Sequence, residues 1–158
     1  MKKLVLLIGS ALFILFIVSS MSYQQQTIVP ELRVILKDQP FYDELSKIEV
    51  EYWGRTISVE TRGYFYFIEF LIRKSFHFIG FGCIGALFYL LFRKIKVKLA
   101  TLLAVLITFI LASFDEYRQT FIEGRTGIFT DVLLDTAGAV TFVFLLKLFF
   151  FIKDSVRR

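Results

Sequence analysis

The chain has 158 residues, of which 56% are hydrophobic and 18% aromatic, with 20 Phe, no Asn and a formal charge of +5. So apolar a composition excludes an ordinary water-soluble domain. The basic residues gather at the ends of apolar runs instead of forming a phosphate-binding stripe, which argues against nucleic acid. Cys83 stands alone inside an apolar run, so a disulfide framework and a cysteine-based metal site are excluded.

From the N-terminus, the first apolar run covers residues 4–18 behind Lys2 and Lys3, and residues 19–21 extend it to a span of about 4–21. The basic start and Ser20-Met21-Ser22 also fit a cleaved signal peptide; a retained anchor is the reading adopted. Residues 22–75 are more polar. Within them Leu32, Ile35 and Leu36 recur at helical spacing, predicting a surface helix in 30–51 with a turn near Gln39-Pro40. Residues 64–72 are aromatic and run into the next span, as an interfacial helix or an outward extension of it.

Three further runs cover 76–92, 97–114 and 132–152. As helices, runs of about 17 to 21 residues reach roughly 25 to 30 Å, enough to cross a bilayer. Lipid offers no hydrogen-bond partners to the backbone, so helices are the expected form. The fold expected is therefore all-α: one domain over 1–158, an integral membrane bundle of about four transmembrane helices. Lys2 and Lys3, then Arg93, Lys94, Lys96 and Lys98, then Lys153, Arg157 and Arg158 fall on one side. The positive-inside rule makes that side cytoplasmic, with both termini there. Segment 22–75 has seven Lys/Arg against eight Asp/Glu, so it carries no competing bias. This segment and loop 115–131 are then external.

Polar residues at the external ends carry whatever chemistry there is. Arg73 and His77 are i and i+4 at the mouth of the second span, and Asp131 and Asp135 have the same relation in the fourth. Asp115 and Glu116 close the third span, with Gln119 one turn beyond Asp115. Gly124 and Gly127 bracket Arg125 in a connection that must turn back. Three helix ends would thus deliver Arg73, His77, Asp115, Glu116, Arg118, Gln119, Arg125, Asp131 and Asp135 to one patch as ligand-binding candidates. Asp135 is the most telling, because an unpaired carboxylate inside a span costs about 2.5 to 3.5 kcal/mol. It needs Arg125, Arg73, His77 or a proton.

Each residue has a plainer role beside the functional one. His77 offers a proton carrier or a structural hydrogen bond to Asp135 or Asp115. Arg125 offers a bidentate grip on phosphate or carboxylate, or a salt bridge to Asp115 or Asp131. Arg73 and Lys74 attract anionic headgroups or snorkel at the interface. Asp115, Glu116, Asp131 and His77 match no strong metal-binding spacing, so no metal is expected. Nor is a cofactor, since no nucleotide loop or nucleophile elbow is present.

Arg73-Lys74-Ser75-Phe76-His77-Phe78, with Asp115-Glu116-Tyr117-Arg118-Gln119, Phe121, Gly124-Arg125, Gly127, Asp131-Val132 and Gly138, resembles the VanZ-like family of small bacterial membrane proteins. The resemblance runs from Arg73 to about Gly138, with weaker agreement in the first span and its Ser-Tyr-Gln-Gln-Gln continuation. Glu123 stands where the family commonly has Pro, Phe81 where Tyr is frequent, and Asp135 where Asn is frequent. The resemblance implies a multi-pass protein of the bacterial cell membrane and, for some members, reduced susceptibility to teicoplanin-type glycopeptides.

Three functions remain open at this point. The leading expectation is an external pocket binding an anionic lipid-linked headgroup, such as a membrane-lipid phosphate or a cell-wall precursor. In it Arg73, Arg118 and Arg125 grip, while Asp115, Glu116, Asp131 and Asp135 position them and His77. The second is an enzyme acting on that headgroup, with His77 and Asp115 or Glu116 as acid–base pair. The third is an assembly subunit whose cluster only clamps helices. The sequence does not set the oligomeric state.

Overall fold

The computed structural model describes residues 1–156. Arg157 and Arg158, counted above in the third basic cluster, lie outside the described residues. Helix α1 (Lys2–Ser19) leads into two short helices, α2 (Tyr23–Gln26) and α3 (Val29–Ile35). After a turn comes α4 (Tyr42–Leu45), then strands β1 (Val50–Tyr52) and β2 (Arg55–Ile57), then α5 (Val59–Arg62). Three long helices complete the chain: α6 (Tyr64–Lys94), α7 (Ala100–Gln119) and α8 (Phe129–Val156).

Among the described residues, α1, α6, α7 and α8 are long and apolar enough to cross a membrane. The expected four-helix membrane bundle is therefore present. Its limits differ from the apolar runs in an instructive way. Helix α6 begins at Tyr64, not at residue 76, so residues 64–72 extend the span. At 31 residues it is about 46 Å long, against about 30 Å for a bilayer core. Gly63, with φ 82°, sets its start.

Helices α6, α7 and α8 form the body of the bundle, with α1 packed against α6 and α7. Small residues allow the close approach. A Cβ on Gly138 of α8 would strike the backbone carbonyl of Phe78, and one on Gly85 of α6 would meet the Ala139 Cβ at 2.9 Å. In lipid, where burial of apolar surface gives no drive between helices, such backbone-to-backbone packing supplies the cohesion. Ala104 and Ala112 of α7 and Ala139 of α8 are fully buried as well.

Within this mostly helical fold, the segment before α6 also holds one small two-stranded hairpin. Strands β1 and β2 pair antiparallel, with Val50 opposite Ile57 and Tyr52 opposite Arg55. Trp53 and Gly54 form the turn with φ 53° and 67°, the left-handed pair that two-residue hairpins require. The hairpin is seated on the first turns of α6 through Ile57, Val59, Tyr64 and Phe67, all buried. The surface helix expected within 30–51 is α3 with the shorter α4, and the chain turns between them as Gln39 and Phe41 adopt positive φ.

Candidate functional site: a polar chamber joined to an apolar groove

Helix α1 ends, α6 begins, α7 ends and α8 begins at the same end of the bundle. There a chamber of about 430 Å³ lies between the helix ends, the 120–128 loop and the β1–β2 hairpin. Its wall carries Arg55, Arg62, Arg73, Lys74 and Arg125 against Glu69 and Asp131, with His77 and Gln119 beside them. The excess of cations matters only if they are not already paired.

The pairing follows from which acceptors each helix presents. Lys74 forms an ion pair with Asp131, which also accepts a hydrogen bond from the Tyr52 hydroxyl. Both Glu69 oxygens are occupied, one by the Tyr23 hydroxyl at 2.7 Å and the other by the Ile28 amide at 2.8 Å. Arg125 donates to Gln119 Oε1 at 2.7 Å and to Gln26 Oε1 at 2.9 Å. Arg73 donates to the same Gln26 oxygen at 3.3 Å and lies over the Tyr23 ring. Among the described residues neither Arg73 nor Arg125 has an ion-pair partner.

The electrostatics reflect that arrangement. Burial, and then the charge of Arg73, lower the pKa of the Arg125 guanidinium from its ordinary value, while Glu116, Asp115 and Asp131 oppose the shift. Burial and the hydrogen bond to Asp131 raise that of the Tyr52 phenol. The chamber thus holds two guanidinium groups steered by neutral amides towards one another, and a tyrosine fixed as a donor.

Behind the chamber lie the acids. Asp135 is fully buried, and both its oxygens stand 3.4 Å from His77 Nδ1. Of the partners expected for Asp135, His77 is the one that stands beside it. Glu116 accepts the Ile128 amide at 2.9 Å through Oε2. The loop can reach it because Gly127 has no side chain: a Cβ there would strike the Glu116 carbonyl.

The predicted patch therefore divides. Arg73, His77, Gln119, Arg125 and Asp131 line the chamber, and Glu116 and Asp135 lie behind His77. Asp115 and Arg118 do not line it but stand beside it, at the end of α1. Asp115 accepts from the Ser19 hydroxyl, from Gln119 at 2.8 Å and from Arg118 at 3.2 Å. Arg118 also bonds Ser20 and the Phe16 carbonyl and covers the Phe16 ring. Arg118 thus reaches into the last turn of α1, where the Phe16 carbonyl also accepts the Ser20 amide at 3.1 Å. Together Asp115 and Arg118 clamp α1 to α7. The salt bridge considered between Arg125 and Asp115 or Asp131 does not form. Gln26, Glu69, Tyr52, Arg55 and Arg62 join the site without having been expected. Only the Tyr-Gln-Gln-Gln stretch gave any hint of Gln26.

A second cavity, of about 600 Å³, adjoins the first. It runs between α1 and α6 and is lined by apolar residues such as Ile14, Leu15, Ile72, Phe76 and Phe81. Arg73, His77 and Arg125 border both spaces.

Fold and site together define a multi-pass membrane protein with a cationic chamber at one end of its bundle. The VanZ/LLP1 family model matches residues 4–150, and the chain belongs to that family. No curated protein and no solved structure matches it.

Proposed function

We propose that this chain binds an anionic lipid-linked headgroup in the chamber, with the lipid tail in the groove between α1 and α6. The observation that carries the reading is the junction. Two guanidinium groups without carboxylate partners, Arg73 and Arg125, stand where a cationic chamber opens into an apolar groove. A phosphate between them would satisfy charges that Gln26 and Gln119 only hydrogen-bond, and Arg suits phosphate through its planar fork. An apolar tail would fill a groove that the loosely packed α1 leaves open. In this reading the protein sits in a bacterial membrane and the chamber faces outward. Lys2, Lys3, Arg93, Lys94 and Lys153 then mark the cytoplasmic end. Occupying a membrane-lipid phosphate or a cell-wall precursor there would alter how a lipid-anchored glycopeptide of the teicoplanin type reaches its target.

The test is mass spectrometry of lipid retained by purified protein after incubation with defined envelope lipids. Arg125→Ala should lose about 1.5–3 kcal/mol of binding to an anionic lipid, roughly 10- to 150-fold. Lys47→Ala, an exposed cation that lines neither cavity, should keep it. Equal retention by wild type and Arg125→Ala contradicts the proposal. A second reading, an enzyme acting on the headgroup, draws support from His77, which stands on the chamber wall with Asp135 behind it. It predicts a changed lipid mass after incubation. Absence of both selective retention and conversion leaves the assembly reading, in which the cluster only fixes helix packing.

A further inference from the structure

His77, Glu116 and Asp135 come from three different helices, and one ligating atom from each lies within 4.8 Å of the others. Closeness of acids alone would mean little. Here two oxygens, Glu116 Oε1 and Asp135 Oδ1, are buried without any hydrogen-bond partner, on residues only 3% and 0% exposed. Among the described residues no lysine or arginine pairs with either carboxylate. The nearby cations are held elsewhere: Lys74 by Asp131, Arg125 by Gln119 and Gln26. Two orphaned carboxylate oxygens in a low-dielectric site call for a proton, a water or a cation beside them, and a cation can serve both at once.

The spacing of His77 and Asp135 fits a metal, and Glu116 stands close enough to close on one, with all three ligating atoms within 4.8 Å. Two ligands of one tetrahedral zinc, each about 2.0–2.1 Å from the ion, stand about 3.3–3.4 Å apart. His77 Nδ1 stands 3.4 Å from each Asp135 oxygen, long for a hydrogen bond to a carboxylate. The His77 ring is held in place by stacking on Phe81 at 6.2 Å. One imidazole and two carboxylates suit a divalent first-row metal, and their charges cancel its own.

We propose that His77, Glu116 and Asp135 form a binding site for one divalent transition-metal ion such as Zn²⁺, behind the chamber wall. Three protein ligands leave at least one coordination position for water or an anion, as in metal sites that do chemistry. Sequence spacing pointed to no metal, because the three ligands converge only through the packing of α6, α7 and α8. The site does not depend on the headgroup reading.

The test uses full-length protein purified with a histidine-free tag, incubated with Zn²⁺ and desalted. Wild type and Glu60→Gln, an exposed acid far from the cluster, should each retain one zinc per chain. Asp135→Asn and His77→Ala should bind at least about tenfold more weakly, the loss that removing even a supporting partner of a metal ligand causes. Zinc absorption spectroscopy on the wild type keeps the test valid if a variant misfolds. His77 is the chain's single histidine, so the shell must show one imidazole with oxygen ligands and no sulfur. A shell without imidazole overturns the site, as does zinc retained equally by folded Asp135→Asn. Loss of lipid binding in Arg125→Ala with zinc unaffected would separate this site from the headgroup site.

Discussion

Arg73 and Arg125 donate to the same amide oxygen of Gln26, an arrangement that draws two like charges together and leaves both short of an anion. Tyr52 beside them is a fixed donor to Asp131, and it yields a pH prediction. Its folded pKa is raised by burial and by that hydrogen bond, so its contribution is fully present below the ordinary phenol pKa of about 10. Above that pH the unfolded chain loses the proton first, and stability falls as pH rises towards the folded pKa. Wild type should lose thermal stability above about pH 10 more steeply than Tyr52→Phe, measured by melting across the alkaline range. Parallel profiles would show that Tyr52 ionises freely. Part of this residue-scale chemistry was legible in the sequence. His77 and Asp135 each stand at the mouth of a span, where an unpaired charge demands a partner. Gln26 was not, because an amide in a short connecting helix has neither periodicity nor charge to mark it.

At the scale of the elements, α6 and α8 meet through glycine. A Cβ on Gly138 would strike the Phe78 carbonyl, whereas one on Gly80 meets nothing within 4 Å. Gly138→Ala should therefore destabilise the bundle by about 1–3 kcal/mol through overpacking. Gly80→Ala should instead stabilise it by about 0.5–1 kcal/mol through lower backbone entropy in the unfolded chain. Melting of the two variants in the same detergent checks this; equal shifts would mean that the seam yields without cost. The four spans were readable because hydrophobic length is a strong signal. The start of α6 was less so, since its first turns pack against the hairpin and α5. The hairpin escaped notice because Trp53 occupies a turn position where Asn or Asp is the usual marker. Short strands also depend on what they pack against, here Tyr64 and Phe67 at the start of α6.

Across the whole molecule, the polar end combines parts far apart in the chain. The hairpin covers the chamber, α2 brings Gln26 to both arginines, and the Asp115–Arg118 clamp holds α1 at its end. Below that clamp α1 and α6 part around the apolar groove. The chamber and the groove beside it are thus built by the segment before α6 and the bundle together. Trp53 is the only tryptophan and lies on the chamber wall, so its fluorescence reports the central claim directly. The measurement is a titration of the purified protein with an anionic phospholipid and, separately, with a zwitterionic one of the same chains. A saturable change with the anionic lipid alone, lost in Arg125→Ala and kept in Lys47→Ala, is the predicted result. The same response to both lipids, or an unaltered one in Arg125→Ala, would contradict a chamber built for an anionic headgroup.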